Sequence, residues 1–177
     1  PFVLSLLDAF EAPGVAALVT PLYDGDAHDL LRAVRAQRRS EGDPRTSFAK
    51  ASDRLSRNFS KDVIEANGLD NDTALKIVAH TASALDWLHA RKVAHRDLKP
   101  ENIFLDHEKK TCKVGDFGLA AQKVNTDGSL RTICGTPNYA APEVMAGSRR
   151  LKKVKAFEDE YTKAKAEGYD GKIADIW

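Results

Sequence analysis

Three side chains with oxygen atoms lie at short spacing in the second half of the chain. Asp97 and Asn102 are five residues apart, and Asp116 follows fourteen residues after Asn102. Carboxylate and amide oxygens are the ligands that a hard cation such as Mg²⁺ prefers. A single Asp in a loop is more often a turn-forming residue. The combination of the three, and not any one of them, therefore indicates a site.

The segments between these residues predict how the chain brings them together. Residues 102–105 and 112–114 have the pattern of two short strands, separated by a polar turn over residues 106–110. A hairpin of these strands would return Asp116 to the neighbourhood of Asn102. Two acids and an amide at one site suit phosphoryl transfer, which needs metal ligands beside the phosphates and a carboxylate that orients the attacking hydroxyl.

The start of the chain predicts a second hairpin. Residues 2–10 have the pattern of a buried strand, and residues 15–20 that of a second apolar strand. Pro13 and Gly14 form a turn signal between them. Pro21 then ends the pairing, because proline has no N–H to donate.

Two helices are predicted from apolar residues at helical spacing. The first covers residues 26–39, with Leu30, Leu31 and Val34 on one face. The second covers residues 72–90, and its apolar positions are Leu75, Val78, Ala79, Ala82, Leu85 and Leu88.

Two polar segments are predicted to be solvated insertions. Residues 40–71 contain several breakers, with a helical piece expected near residues 59–66. Residues 148–167 are rich in charged residues and helix formers. For the second segment, a basic docking patch at residues 149–155 stays open as an alternative.

The composition of the 177 residues is that of a soluble globular protein, with 42% apolar and 30% charged residues. Lys and Arg number 27 against 26 Asp and Glu, so the net charge of +1 offers no argument for a nucleic-acid or membrane partner. No apolar run reaches the length of about 18 residues that a membrane span needs. Two cysteines make no disulfide framework, which favours an intracellular location, in the cytoplasm or nucleus.

Four segments, in the same order, resemble motifs of eukaryotic-type Ser/Thr protein kinases. Residues 95–102 (HRDLKPEN) resemble the catalytic loop, and residues 116–118 (DFG) resemble the metal-binding triplet. Residues 141–143 (APE) resemble the end of the activation segment, and residues 175–177 (DIW) resemble the start of the helix beneath the catalytic loop. The resemblance implies an α+β, protein-kinase-like fold.

The resemblance also implies a domain organisation. Residues 1–20 would be a remnant of the small lobe with two strands, residues 21–25 the hinge, and residues 26–177 the first half of the mainly helical large lobe, with the two insertions. Both ends are expected to be cut through structured elements, from the family's fourth strand to the start of its helix F. A fragment without the glycine-rich loop and the small-lobe lysine would have little activity by itself.

For the catalytic residues, the resemblance implies that Asp97 orients the substrate hydroxyl and accepts its proton. Lys99 would lie near the transferred phosphate, and a lysine at this position resembles the Ser/Thr branch of the family. Thr136 would bond to Asp97 and Lys99 and shape the substrate site. Asn102 and Asp116 would hold Mg²⁺ and, through it, the phosphates of ATP.

Other residues would support this site. Gly118 would permit the backbone turn after the metal ligand. His95 would be a packing residue near Phe117. Asp175 would hold the backbone of the catalytic loop, and Glu143 would pair with an arginine later in the family's sequence.

A nucleotide pocket is implied at the start of the chain. Thr20 would be the gatekeeper beside the adenine, and backbone groups of Leu22 would bond to the adenine. Asp26 would approach the ribose hydroxyls. Phe104 would form the floor of the pocket, a role compatible with an ordinary core position.

Regulation by phosphorylation is implied by Arg96, which directly precedes the catalytic Asp. A phosphate on the activation segment can pair with this arginine, and Thr132 is the best candidate to carry it. An upstream activating kinase is therefore an expected partner, in addition to protein substrates with Ser or Thr.

The function implied is ATP-dependent transfer of the γ-phosphate to Ser and Thr hydroxyls of proteins. The alternative is a pseudokinase, scaffold or binding module, which the intact set Asp97, Lys99, Asn102 and Asp116 disfavours. Within the family, residues 102–105, 113–120 and 134–139 look most like the polo-like kinases. Residues 132–137 also resemble the aurora kinases, and residues 138–143 the AMP-activated and calcium-regulated kinases.

Overall fold

The computed structural model describes residues 2–40, 64–65, 68–106, 110–122, 129–146 and 168–177. Its strands are β1 (Asp8–Ala12), β2 (Val15–Val19), β3 (Gly25–Asp26), β4 (Ile64–Glu65), β5 (Gly68–Leu69), β6 (Val93–Ala94), β7 (Ile103–Asp106), β8 (Thr111–Val114) and β9 (Ala121–Gln122). Its α-helices are α1 (Ala27–Ser40), α2 (Asn71–Ala90), α3 (Pro142–Ala146) and α4 (Gly171–Ile176), and Pro100–Asn102 form a 3₁₀ turn.

The chain divides into two compact units. The first unit comprises Pro1–Ala84 and Pro100–Gly115, and the second comprises Leu85–Lys99 and Asp116–Trp177.

The hairpin predicted at the start of the first unit is confirmed. β1 and β2 pair antiparallel, from Asp8 opposite Val19 to Ala12 opposite Val15. Gly14 has φ of 79° in the two-residue turn, which suits a glycine. The prediction of a buried strand over residues 2–10 is wrong, because the strand begins at Asp8 and every β1 residue is exposed. In the part of the chain that the structure describes, this sheet has two strands only, and the residues of both strands are exposed.

The second predicted hairpin forms the middle of the first unit. β7 pairs with β8, with Ile103 opposite Val114, and β3 pairs with β7 in an antiparallel sheet of three strands. The Gly115 N–H donates to the Asn102 carbonyl oxygen over 2.9 Å. The chain therefore returns to Asn102 one residue before Asp116, as predicted.

Helix α1 packs on this sheet. The Asp26 carboxylate accepts a hydrogen bond of 2.8 Å from the Asp29 N–H and so caps the helix start. The core combines buried side chains from the helix and the strands: Ala27, Leu30, Ala33, Val34, Ile103, Leu105 and Cys112. The prediction that Leu31 shares this face is wrong, since its side chain is 37% exposed. One residue rotates the helix by about 100°, which turns Leu31 away from Leu30.

The first predicted insertion contains a described pair of short strands. β4 and β5 pair antiparallel, with Ile64 opposite Leu69. A helical piece near residues 59–66 is therefore wrong at Ile64 and Glu65, and the rest of it lies outside the described residues. The second predicted insertion, residues 148–167, also lies outside them, as does the alternative of a docking patch there.

The long helix α2 is confirmed, but its predicted apolar face is buried only at one end. Asp70 caps the helix by accepting from the Thr73 N–H over 3.0 Å. Leu85 and Leu88 are buried, whereas Leu75 is 68% exposed and Val78 is similarly open. Helical spacing aligns apolar side chains but does not supply a surface to cover them.

The second unit has a small hydrophobic core of its own. β6 pairs with β9, and Leu130 and Tyr169 form an isolated antiparallel bridge. The buried side chains are Ala94, Leu130, Ala141, Val144 and Tyr169. Among the described helices of both units, none has the length and apolarity required to cross a membrane.

Candidate active site

Asp175 organises the backbone at residues 95–96. It is buried, and its carboxylate accepts hydrogen bonds from the His95 N–H over 2.8 Å and from the Arg96 N–H over 2.7 Å. Arg96 has φ of 68°, a conformation that costs free energy for a residue with a side chain. The two hydrogen bonds to Asp175 offset this cost, so the chain enters the following residue, Asp97, in a defined direction.

A further donor to Asp175 was not predicted from the sequence. His89 Nε2 lies 2.9 Å from the Asp175 carboxylate, and 86 residues separate the two along the chain. The only signal in the sequence is a histidine in the last turn of a predicted helix, and it does not identify the partner.

Asp97, Lys99 and Thr136 form one hydrogen-bonded cluster. Lys99 Nζ lies 2.8 Å from one Asp97 oxygen and 2.9 Å from the Thr136 hydroxyl. The other Asp97 oxygen accepts from the Thr136 N–H and from the Thr136 hydroxyl, each over 2.7 Å. The structure thus joins three residues that span 39 positions of the sequence.

This cluster keeps Asp97 charged. Burial by itself disfavours the ionised carboxylate, but the hydrogen bonds from Lys99 and Thr136 outweigh it and hold the pKa of Asp97 below its usual value. A carboxylate that is ionised at neutral pH can accept a hydrogen bond from a hydroxyl group and then its proton.

Gly135 permits the approach of Thr136 to this cluster, and sequence reasoning did not single it out. Its φ is 102°, and a Cβ at this position would lie 2.5 Å from the carbonyl oxygen of Arg96. Only a residue without a side chain fits there. The available signal was the glycine that directly precedes Thr136 and Pro137.

His95 and Phe117 lie together in the second unit. The His95 side chain is fully buried, and its ring centroid lies 5.2 Å from that of Phe117 at an interplanar angle of 60°. Such a tilted arrangement is favourable for aromatic rings. The contact matches the packing role expected for His95.

Asp116 is exposed and has φ of 59°, and its carboxylate lies 3.3 Å from the Gly118 N–H. The φ of Gly118 is not positive, since the described glycines with positive φ are Gly14, Gly135 and Gly168. A turn does occur there, closed by the Ala120 N–H and the Phe117 carbonyl oxygen. A Cβ on Gly118 would lie 3.2 Å from the Asp116 carboxylate, so the glycine instead leaves room for that side chain.

The predicted nucleotide-binding residues lie around one cleft of the first unit. Its volume is about 270 Å³, and its lining residues are Leu4, Thr20, Pro21, Leu22, Tyr23, Gly25, Asp26 and Phe104. All four residues predicted to contact the nucleotide are among them. Leu22 is 99% exposed at the edge of this cleft.

The surroundings of Phe104 and Leu4 are tightly packed. A Cβ on Gly115 would lie 2.7 Å from Leu4 and 2.8 Å from Phe104. Tyr23 lies beside Phe104, with ring centroids 5.9 Å apart. Burial raises the pKa of Asp26, against the lowering effect of the hydrogen bond from the Asp29 backbone.

Two sets of predicted site residues are thus placed in different units. The second unit holds the cluster of Asp97, Lys99 and Thr136 together with the loop that carries Asp116. The first unit holds the cleft and Asn102, which is buried. The Asn102 amide and the Asp116 carboxylate supply the hard oxygen donors that Mg²⁺ prefers, so their chemistry fits that metal.

The two predicted regulatory residues lie near a tyrosine of the second unit. Arg96 Nε donates to the Leu119 carbonyl oxygen over 2.6 Å. The side chain of Thr132 is exposed, and its carbonyl oxygen accepts from the Tyr169 hydroxyl over 2.9 Å. Glu143 lies in the first turn of α3.

Known proteins are similar to part of this sequence. The model of the protein kinase domain family matches residues 1–158. CBL-interacting protein kinase 32 from Oryza sativa subsp. japonica is 41% identical over 117 residues, which are 65% of this chain and 22% of that protein. CBL-interacting protein kinase 3 from the same plant is 44% identical over 119 residues, 66% of this chain and 22% of that protein.

A relative from a second plant shows a similar identity and coverage. CBL-interacting serine/threonine-protein kinase 26 from Arabidopsis thaliana is 41% identical over 117 residues, 65% of this chain and 22% of that protein. The chain spans about a fifth of the length of these curated relatives. The assignment to the polo-like group stays a prediction. Because the family model covers most of its residues, the chain belongs to the protein kinase domain family.

Proposed function

We propose that the protein containing this chain is an ATP-dependent kinase that phosphorylates Ser and Thr residues of proteins. The observation that carries this proposal is the cluster in which Lys99 and Thr136 hold the ionised Asp97 carboxylate. It supports the proposal because phosphoryl transfer needs an acceptor for the proton of the attacking hydroxyl and a positive charge near the transferred group. Asp97 and Lys99 provide them side by side.

The reaction assigns a separate task to each residue of the cluster. The substrate hydroxyl oxygen forms a bond to the γ-phosphorus, and the bond from that phosphorus to the oxygen of the leaving diphosphate breaks. Asp97 orients the hydroxyl and takes its proton. Lys99 offsets the negative charge on the transferring group, and Thr136 keeps Asp97 and Lys99 in place.

ATP and Mg²⁺ are the proposed cofactors. The metal would neutralise charge on the phosphates when bound, and Asn102 and Asp116 are the residues proposed to hold it. Thr20, Leu22, Asp26 and Phe104 are proposed to contact the nucleotide, because they line one cleft of the first unit.

The proposed partners are protein substrates with Ser or Thr. Lys99 resembles the Ser/Thr branch of the family, and one of the plant relatives is named a serine/threonine-protein kinase. The relatives are also named for interaction with CBL. The matched segment is about a fifth of each relative, so we assign no such partner to this chain.

The proposal is tested in the full-length protein with Mg²⁺-ATP and a mixture of Ser- and Thr-containing peptides. Asp97→Asn removes the proton acceptor while preserving the shape of the side chain, and we expect phosphate transfer to fall by about 10²- to 10⁴-fold. Asp86→Asn, at an exposed position of α2, is the matched control and should keep the original rate. A wild-type protein that binds ATP but transfers no phosphate would contradict the proposal and favour a pseudokinase.

We further propose that phosphorylation of Thr132 raises the activity through Arg96. The exposed Thr132 side chain is accessible to an upstream kinase, and Arg96 can pair with the added phosphate. Thr132→Ala should lack the activation that the upstream kinase confers on the wild type. After phosphatase treatment the two proteins should have equal rates. The proposal is wrong if Thr132→Ala matches the rate of the phosphorylated wild type.

A further inference from the structure

A short backbone bridge holds the segment around Thr132 in the second unit. The Leu130 N–H donates to the Tyr169 carbonyl oxygen, and the Tyr169 N–H donates to the Leu130 carbonyl oxygen, each over 2.8 Å. The bridge joins positions 39 residues apart in sequence. Residues 168–170 therefore form a fixed edge beside the start of the segment that leads to Thr136.

Two glycines allow this edge to approach closely. Gly168 has φ of 74°, and a Cβ on it would lie 2.8 Å from the Leu130 carbonyl oxygen. A Cβ on Gly171 would lie 2.5 Å from the Leu130 side chain and 2.6 Å from Ala94. Tyr169 is thus placed between two positions that tolerate no side chain.

The Tyr169 side chain continues the contact beyond the bridge. Its ring is buried in the core with Leu130, and its exposure is 7%. Its hydroxyl donates to the Thr132 carbonyl oxygen over 2.9 Å. Burial raises the pKa of Tyr169, and the lowering effect of the neighbouring Arg96 is smaller.

We infer that Tyr169 is a positioning residue, whose hydroxyl fixes the main chain at Thr132 and, four residues later, the orientation of Thr136 toward Asp97 and Lys99. This inference rests on the proposed kinase function. Packing alone does not account for the hydroxyl, because a phenylalanine ring would fill the same core. The hydrogen bond to the Thr132 carbonyl oxygen is therefore what tyrosine provides at this position and phenylalanine does not.

The test compares Tyr169→Phe with Tyr139→Phe in the full-length protein. Tyr139 is an exposed tyrosine of the same unit, so its variant controls for loss of a hydroxyl as such. Because Thr136 is also expected to shape the substrate site, we expect Tyr169→Phe to raise the KM for the protein substrate. One hydrogen bond corresponds to about a three- to tenfold change in that KM. The KM for ATP should not change. If the substitution only reduced the fraction of folded protein, kcat would fall and both KM values would stay unchanged. That result would overturn the inference.

Hydrogen exchange provides a readout that does not depend on activity. In Tyr169→Phe, peptides covering residues 130–136 should exchange faster than in the wild type, while Tyr139→Phe should not change them. If the wild type transfers no phosphate, the proposed function fails, and the exchange result alone decides whether Tyr169 fixes Thr132. Equal exchange in the two variants would overturn the inference whether or not the protein is active.

Discussion

At the scale of single residues, Asp175 shows how one buried carboxylate can bind several donors from distant segments of the chain. It accepts from two consecutive backbone N–H groups and faces His89, so a strained backbone at Arg96 is held in place. Hydrogen bonds to a charged acceptor are roughly twice as strong as neutral ones. The residue therefore controls both the stability of the second unit and the direction in which the chain enters Asp97.

Asp175→Asn should destabilise the protein by about 1.5–3 kcal/mol, because an amide offers one acceptor oxygen where the carboxylate offers two. The free energy of unfolding is measured by urea denaturation. Asp86→Asn, at an exposed position, serves as the control and should stay within about 0.5 kcal/mol of the wild type. If the two variants have the same free energy of unfolding, the hydrogen bonds of Asp175 contribute nothing measurable.

The two cysteines are expected to differ in reactivity. Cys112 is buried in the core of the first unit, and burial raises its pKa to about 11. Cys134 is partly exposed. At neutral pH, iodoacetamide should label Cys134 and leave Cys112 unmodified until the protein unfolds, because the thiolate is the reactive form. Mass spectrometry of the labelled peptides checks this, and labelling of Cys112 at an equal rate in the folded protein would contradict it.

The same shift has a consequence for stability at high pH. The folded protein binds the Cys112 proton more tightly than the unfolded chain, so this contribution to the free energy of unfolding is present below the unfolded pKa of the thiol. It is lost as the pH rises from there toward about 11.

At the scale of elements, Gly135 and Gly14 offer a comparison of two turns with positive φ. Both would be strained by a side chain, but a Cβ on Gly14 has no heavy atom within 4 Å, whereas one on Gly135 would lie 2.5 Å from the Arg96 carbonyl oxygen. The cost of a substitution at Gly135 thus includes a displacement of the main chain next to Thr136.

Gly135→Ala should lower the rate of phosphate transfer by tenfold or more, since a misplacement of about 1 Å at a catalytic cluster can cost 10²-fold. Gly14→Ala should cost about 1–2 kcal/mol of stability from its φ alone and leave the rate unchanged in the full-length protein. Steady-state rates and thermal melts of both variants separate the two effects. A Gly135→Ala protein with the wild-type rate would show that Arg96 and Thr136 adjust without consequence.

At the scale of the whole molecule, the most prominent surface feature is the pair β1 and β2. Phe10, Val15 and Leu18 are all large apolar side chains exposed on this two-stranded sheet. The edges of such a sheet present unpaired N–H and C=O groups that favour association with another chain. A net charge of only +1 provides little repulsion between copies.

We expect the 177-residue chain to associate in solution and Leu18→Lys to reduce this association. Leu18 is 72% exposed, so the variant removes apolar surface and adds a positive charge without opening a cavity. Ala16→Lys, also on β2 and exposed, adds the same charge but removes little apolar surface. Light scattering at increasing protein concentration compares the association of the original chain with that of the two lysine variants. Equal behaviour of the two lysine variants would show that charge, and not the apolar surface, controls association.

Contacts between residues close in the chain were predicted well. The β7–β8 hairpin, its return toward Asn102, and the extent of α2 follow from turn signals and from periodicities that one segment contains by itself. The roles that the family motifs imply for Asp97, Lys99, Thr136 and Asp175 stay predictions. The exposure of Leu75 and Val78 does not follow from this spacing, because burial depends on what packs against the helix.

The sequence segments HRDLKPEN and DFG were sufficient to suggest the family and the chemistry to propose, because they resemble that family's motifs in residue type, spacing and order. Three contacts between distant residues came only from the tertiary structure. His89 and Asp175, Gly135 and Arg96, and Tyr169 and Thr132 are each separated by more than 35 residues. No local propensity specifies such a pairing, since it arises when separate segments pack together and buried polar groups must find donors and acceptors.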